Sequence, residues 1–151
     1  MIVIYHDVGG AHSTAVAANI HINKLPMDRV PSKEELLALP TFDKIEKNQM
    51  GRLIFIGEDE KKNKIYTLAR QYVPQLVIPA VSDMYSMING STEGLYIVDT
   101  KPTVNLLMNI GGYTSRKLHW IWFGRPIVTK GTQQAYMNIA NMVRQTKEKL
   151  V

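Results

Sequence analysis

The feature that most constrains this chain lies at its start, where an apolar run, a turn with two adjacent glycines and a small-residue helical run follow in order. Ile2 to Tyr5 is short, continuous and partly β-branched, which predicts a strand buried on both faces. His6 to His12 forms the turn, Ser13 or Thr14 offers an N-cap, and AVAANIHIN continues as a helix whose small residues let it lie close to a sheet. In open α/β sheets ligands bind beyond the carboxyl ends of the strands. A helix that opens there presents free amides and the positive end of its dipole, which favour phosphate. The backbone of Gly9, Gly10, Ala11, Ser13 and Thr14 is therefore the expected anion cradle, with glycine allowing close approach. The competing reading is a tight turn that only needs glycine. Laid over the phosphate-loop pattern, His12 falls on the lysine and only Ser13 matches, which counts against ordinary triphosphate hydrolysis.

The rest of the chain alternates strands and helices. Ser32-Lys33-Glu34-Glu35 is a capping box that opens a short helix ending before Pro40, in a region read as an insertion; Thr41 to Asn48 offers another helical turn. Leu53 to Gly57 and Lys64 to Arg70 predict two strands joined by a charged tip, a β-hairpin inserted in an otherwise parallel sheet. A helix is expected from Pro79 to about Asn89, stopped by Gly90. Leu95 to Val98 predicts a buried strand ending in Asp99, and Thr103 to about Ile110 a short helix closed by Gly111-Gly112. Leu118 to Phe123 predicts the last strand, and Thr132 the cap of a final helix. The expected architecture is a single α/β domain over 1–151, an open, mostly parallel sheet with helices on both faces, phosphate-loop or Rossmann-like.

Candidate chemistry gathers at the expected carboxyl edge. His12 and Asp99 are the candidate catalytic pair, and Ser13 with Asp99 the candidate magnesium site, on the analogy of the strand-end acid in phosphate-loop enzymes. Asp7 is a second acid there, and His6 and His12 bracket the turn, so a metal held by them and an aspartate is a further alternative. Arg125, following the last expected strand, would bind phosphate or else pair with Asp99 or Asp7. Arg116 and Lys117 would lie at the opposite edge. His21 and His119 are left out of the site, and Asp28, Asp43 and the Glu58–Glu60 run are read as surface charge. Trp120, Trp122 and Phe123 are expected to alternate on a core strand rather than form an exposed stacking patch.

With 151 residues, 45% of them hydrophobic and 21% charged, the chain can bury a core without staples. It has no cysteine, which excludes disulfides, cysteine-ligated metal and a cysteine nucleophile. Its apolar runs are too short to span a bilayer and its first residues lack a basic leader, so a cytoplasmic protein without a membrane role is expected. Residues 101–151 hold eight Lys and Arg against one acid, whereas 1–100 are slightly acidic. That asymmetry suits an anionic ligand, or a solvated basic helix; nucleic acid is the weaker partner.

IYHDVGGAHST, the LP-x-DR-x-P-[ST]-KEELL segment at Leu25 to Leu37, MGRLIFIG, LVIPAVSDMY, VDTKPTVNLLMNIGGYTSR and FGRPIVTKGT together resemble an uncharacterised domain-of-unknown-function family of short proteins from spore-forming Gram-positive bacteria (Firmicutes). The resemblance spans nearly the whole chain and implies a shared site at the glycine turn, His12, Asp99 and Gly124-Arg125-Pro126. The resemblance implies cysteine in many relatives where this chain has Asp7, so a cysteine-phosphatase mechanism is untenable here. The function expected is binding of a nucleotide or other phosphorylated ligand at the degenerate turn, with phosphoryl transfer or hydrolysis as the class of any reaction. The alternative is a non-catalytic regulatory or interaction protein on a decayed nucleotide-binding fold, with a protein partner.

Overall fold

The computed structural model describes residues 1–116, 118 and 120–150, with Arg116 described by its backbone alone. The strands are β1 (Ile2–Asp7), β2 (Leu53–Glu58), β3 (Lys64–Ala69) and β4 (Leu95–Asp99), and they form one sheet in the order β2-β3-β1-β4. β1 pairs in parallel with both β3 and β4, and β2 runs antiparallel to β3 at the edge. The fold is thus a mixed α/β one on an open four-stranded sheet. As the composition of Ile2 to Tyr5 predicts, the central strand β1 is buried almost throughout.

The helices are α1 (Ser13–His21), α2 (Lys33–Leu37), α3 (Pro74–Asn89), α4 (Leu106–Arg116) and α5 (Ile121–Lys149), with short 3-10 turns at Lys47–Gln49 and Lys101–Thr103. Every residue of α1 is buried, because the helix lies between the sheet and α5. Ala15, Ala17 and Ala18 leave room for that double contact. Ala135, Ile139 and Val143 recur at helical spacing along α5 and meet Val3, Tyr5 and Ile65 in the main core. Ile4 and Leu68 are equally buried but lie outside that cluster, on the second face of the sheet. α3 packs against β4, and the right-handed rule for such crossovers assigns it to this second face.

Four expectations need correction. Among the described residues the expected strand over Leu118 to Phe123 is not formed: α5 begins at Ile121 and runs unbroken through Pro126 and Thr132. Its partner α4 extends through Gly111 and Gly112 to Arg116 instead of stopping at the glycines. The reason is a close helix–helix contact. A Cβ on Gly111 would overlap the Val128 backbone and one on Gly124 the Ser115 backbone, so these glycines are used for packing. Second, α3 starts at Pro74 and holds Pro79 inside it. Third, α1 has His12 as its N-cap residue, with no side-chain cap from Ser13 or Thr14. Fourth, Trp120, Trp122 and Phe123 are exposed. Lys117 and His119 lie outside the described residues, with the placement expected for them.

The far end of α1 is fixed by a buried polar chain. Tyr5 Oη bonds to His21 Nδ1 at 2.7 Å, His21 Nε2 meets Asp59 Oδ2 at 3.3 Å, and Lys147 Nζ donates to the His21 carbonyl. Asp59, expected at the surface, is buried here and also accepts from Asn63. Burial, with Lys147 adding to it and Asp59 opposing, holds the His21 pKa below its ordinary value. Burial does the same for His6, again against a nearby acid, Asp99. The fold therefore binds these imidazoles neutral, and their contribution to stability is complete above the unfolded pKa of about 6.5 and is lost as pH falls below it. Urea unfolding should show stability decreasing from pH 7 to pH 5, by at most about 1.4 kcal/mol per pH unit for each histidine. His21→Gln should flatten part of that slope. A wild-type stability that is level over this range would contradict neutral buried imidazoles.

Candidate functional site

The carboxyl ends of the three parallel strands bring Asp7, Arg70 and Asp99 to one edge. Asp7 turns inward. Its Oδ1 accepts the Gly10 amide and its Oδ2 the Ser13 hydroxyl, both at 2.5 Å. Ser13 Oγ also lies 2.7 Å from Thr100 Oγ1, and the Thr100 amide donates to the His6 carbonyl at 2.9 Å. Gly10 holds φ +68, and a Cβ there would come within 2.7 Å of the Ala69 side chain, so the turn closes tightly on β3. Ala11, Ser13 and Thr14 are buried, while Gly9 and His12 are half-buried. The negative charge at the opening of α1 is thus the chain's own carboxylate.

Arg70, which no local signal in the sequence marks, organises the rim. Its Nε donates to His6 Nδ1 at 3.0 Å, its Nη1 to the Gln71 carbonyl, and its Nη2 lies 3.5 Å from Asp99. His6 Nδ1 is therefore an acceptor, which leaves the ring proton on Nε2. Asp99 faces Arg70 and His6, and Ser13 faces Asp7 and Thr100, so the two do not meet on a common partner. Among the described residues no three His, Asp or Glu side chains come together as a metal site would need.

His12 and Arg125 meet elsewhere, on Asp43. This acid is read from the sequence as surface charge, but its side chain has no exposure. His12 Nε2 lies 2.9 Å from Oδ1, the Ser115 hydroxyl donates to Oδ2 at 2.6 Å, and Arg125 Nε donates to Oδ2 at 3.1 Å. The Asp43 amide donates to the Ala11 carbonyl, and its φ of +55 is one that Asp and Asn tolerate better than most residues. Burial alone would raise the Asp43 pKa; the bonds from His12, Ser115 and Arg125 outweigh it and hold the carboxyl below the usual range. Arg125 is therefore a helix residue paired with Asp43, rather than a strand-end residue paired with Asp99 or Asp7.

His12 stands edge-on to Phe42, with centroids 5.5 Å apart, and is close to Gly112 of α4. On the outer side of Arg125 a cleft of about 450 Å3 opens between α2 and the start of α5. Lys33, Leu37, Ile121, Trp122, Arg125 and Pro126 line it. Two of these are cations and none is an acid. Lys33 could not be singled out from the sequence, because its only local signal is the capping box around it.

The fold and site define an open-sheet α/β protein whose first helix, α4 and α5 converge on one buried carboxylate. A family model described as a protein of unknown function (DUF3189) matches residues 2–148, and the chain belongs to that family. No curated protein and no solved structure matches it significantly. Asp43→Asn keeps the left-handed backbone accessible and removes the charge, leaving Arg125 and His12 facing a neutral amide. Breaking a buried pair from one side should cost about 3 kcal/mol in urea unfolding. A loss under about 0.5 kcal/mol, ordinary for a surface substitution, would show that the carboxylate does not hold the site.

Proposed function

We propose that the protein binds a phosphorylated small molecule carrying a flat ring, of which a nucleotide is the simplest case, in the cleft between α2 and α5. One observation carries the reading. Among the described residues the Arg125 guanidinium is bonded through Nε, to Asp43, and Arg125 also lines a cleft together with Lys33. Asp43 sets the plane of the guanidinium, and a fixed fork suits phosphate oxygens. Trp122, 84% exposed, offers a stacking plate beside Ile121, Leu37 and Pro126. The cleft volume lies within the range of small-molecule sites.

This places the phosphate on Arg125 and Lys33, away from the turn at Gly9 and Gly10, where Asp7 already occupies the Gly10 amide and the Ser13 hydroxyl. The role of His12 is to share Asp43 with Arg125. Its Nε2 faces the acid and its ring packs on Gly112 and Phe42, so the proposal is one of binding without a chemical step.

Calorimetry and tryptophan fluorescence should report binding within a panel of nucleotides, sugar phosphates and inorganic phosphate, with nucleotides quenching the emission. Lys33→Ala should weaken nucleotide binding about fivefold, close to 1 kcal/mol. Trp122→Ala should weaken nucleotides about tenfold and sugar phosphates little, since stacking on an aromatic contributes on the order of 1 kcal/mol or more per base. Neither heat nor quenching from any member of the panel would overturn the proposal.

A further inference from the structure

We propose that the protein forms a two-fold symmetric dimer through the outer face of α3, with the two copies of the helix antiparallel and crossing at Ala80. α3 has no buried residue, although eleven of its sixteen side chains are apolar or aromatic. Its half-buried side carries Val77, Ile78, Val81 and Tyr85 with Ser82 and Ser86, and its exposed side, where an ordinary surface helix would be polar, carries Leu76, Ala80, Met84, Met87 and Ile88 beside Gln75 and Asp83. Leu76 is 67%, Met84 56%, Met87 78% and Ile88 77% exposed, and Tyr72 and Val73 just before the helix are exposed as well.

The spacing identifies the occupant. Ala80 lies near the middle of α3, and the large exposed apolar residues are placed symmetrically about it. Leu76 and Met84 lie one helical turn to either side, Val73 and Met87 two turns, and Tyr72 and Ile88 just beyond. A two-fold axis through Ala80 therefore sets Leu76 of one copy over Met84 of the other, and Val73 over Met87. The small residue falls where two helix axes approach most closely. An isologous interface requires this self-complementarity, in which one patch matches itself. The six large side chains expose on the order of 800 Å2, which is what one partner contributes to a stable interface.

Charge argues against other occupants. Residues 71–100 contain Asp83, Glu93 and Asp99 and no Lys or Arg, so this face suits neither an anionic lipid surface nor a nucleic acid. The exposed aromatic segment at Trp120 to Phe123 lies at the start of α5 and is no part of this face.

Sedimentation equilibrium of the full chain should give a species of twice the 17.1 kDa chain mass at micromolar concentration. Ala80→Arg keeps helix propensity and should weaken the dimer at least tenfold, with the circular dichroism spectrum unchanged. Because the chain has no cysteine, Ala80→Cys introduces a single thiol that meets its own copy on the axis. It should cross-link on mild oxidation at least tenfold faster than Trp122→Cys, an exposed control. This second variant decides the matter if Ala80→Arg does not fold. A monomer at all concentrations, a dimer that Ala80→Arg leaves intact, or equal cross-linking of the two thiols would each overturn the proposal.

Discussion

The structure depends on a carboxylate that has given up all its water. Asp43 is fully enclosed, and an isolated charge in that position would be too costly to keep. It stays ionised because an imidazole, a hydroxyl and a guanidinium converge on its two oxygens. Those donors come from the opening of α1, the last turn of α4 and the first turns of α5. One acid thereby joins the sheet layer to the helical hairpin beside it. The joint is strong in one direction only: with all partners present it is satisfied, and with one missing the others become buried and unpaired.

Two features follow from where that acid sits. The guanidinium that it holds at Nε belongs to a residue that also lines a cleft with a second cation, Lys33. The turn before α1 carries its own anion, Asp7, so the amide and hydroxyl that a ligand phosphate would use there are engaged within the chain. The turn between β1 and α1 is thus tied together by a carboxylate of the chain itself. The two cations that share a cleft, Arg125 and Lys33, lie on α5 and α2.

The opening of the fold is legible in the sequence because its signals are local. A β-branched run, two glycines and an alanine-rich helix specify β1, the turn and α1 without help from the rest of the chain. The strand end at Asp99 and the capping box at Ser32 are legible for the same reason. The segment from Leu118 to Phe123 misleads because its aromatic and β-branched residues favour strand and Pro126 suggests a boundary. Backbone contacts through Gly111 and Gly124 decide otherwise, and these join residues on two different helices. Asp43 is illegible on similar grounds. Its partners lie 31, 72 and 82 residues away, so nothing near it in the chain distinguishes it from a surface acid. His12 and Arg125 are picked out by their residue types, but the acid that unites them comes only from the tertiary structure.

Hydrogen–deuterium exchange on Asp43→Asn tests the central claim most directly. If the carboxylate joins three segments, exchange should rise together in residues 11–14, at the end of α4 and over the first turns of α5, with α3 unchanged. A rise confined to the loop around residue 43 would contradict the account, since it would mean that the helices keep their places without the acid between them.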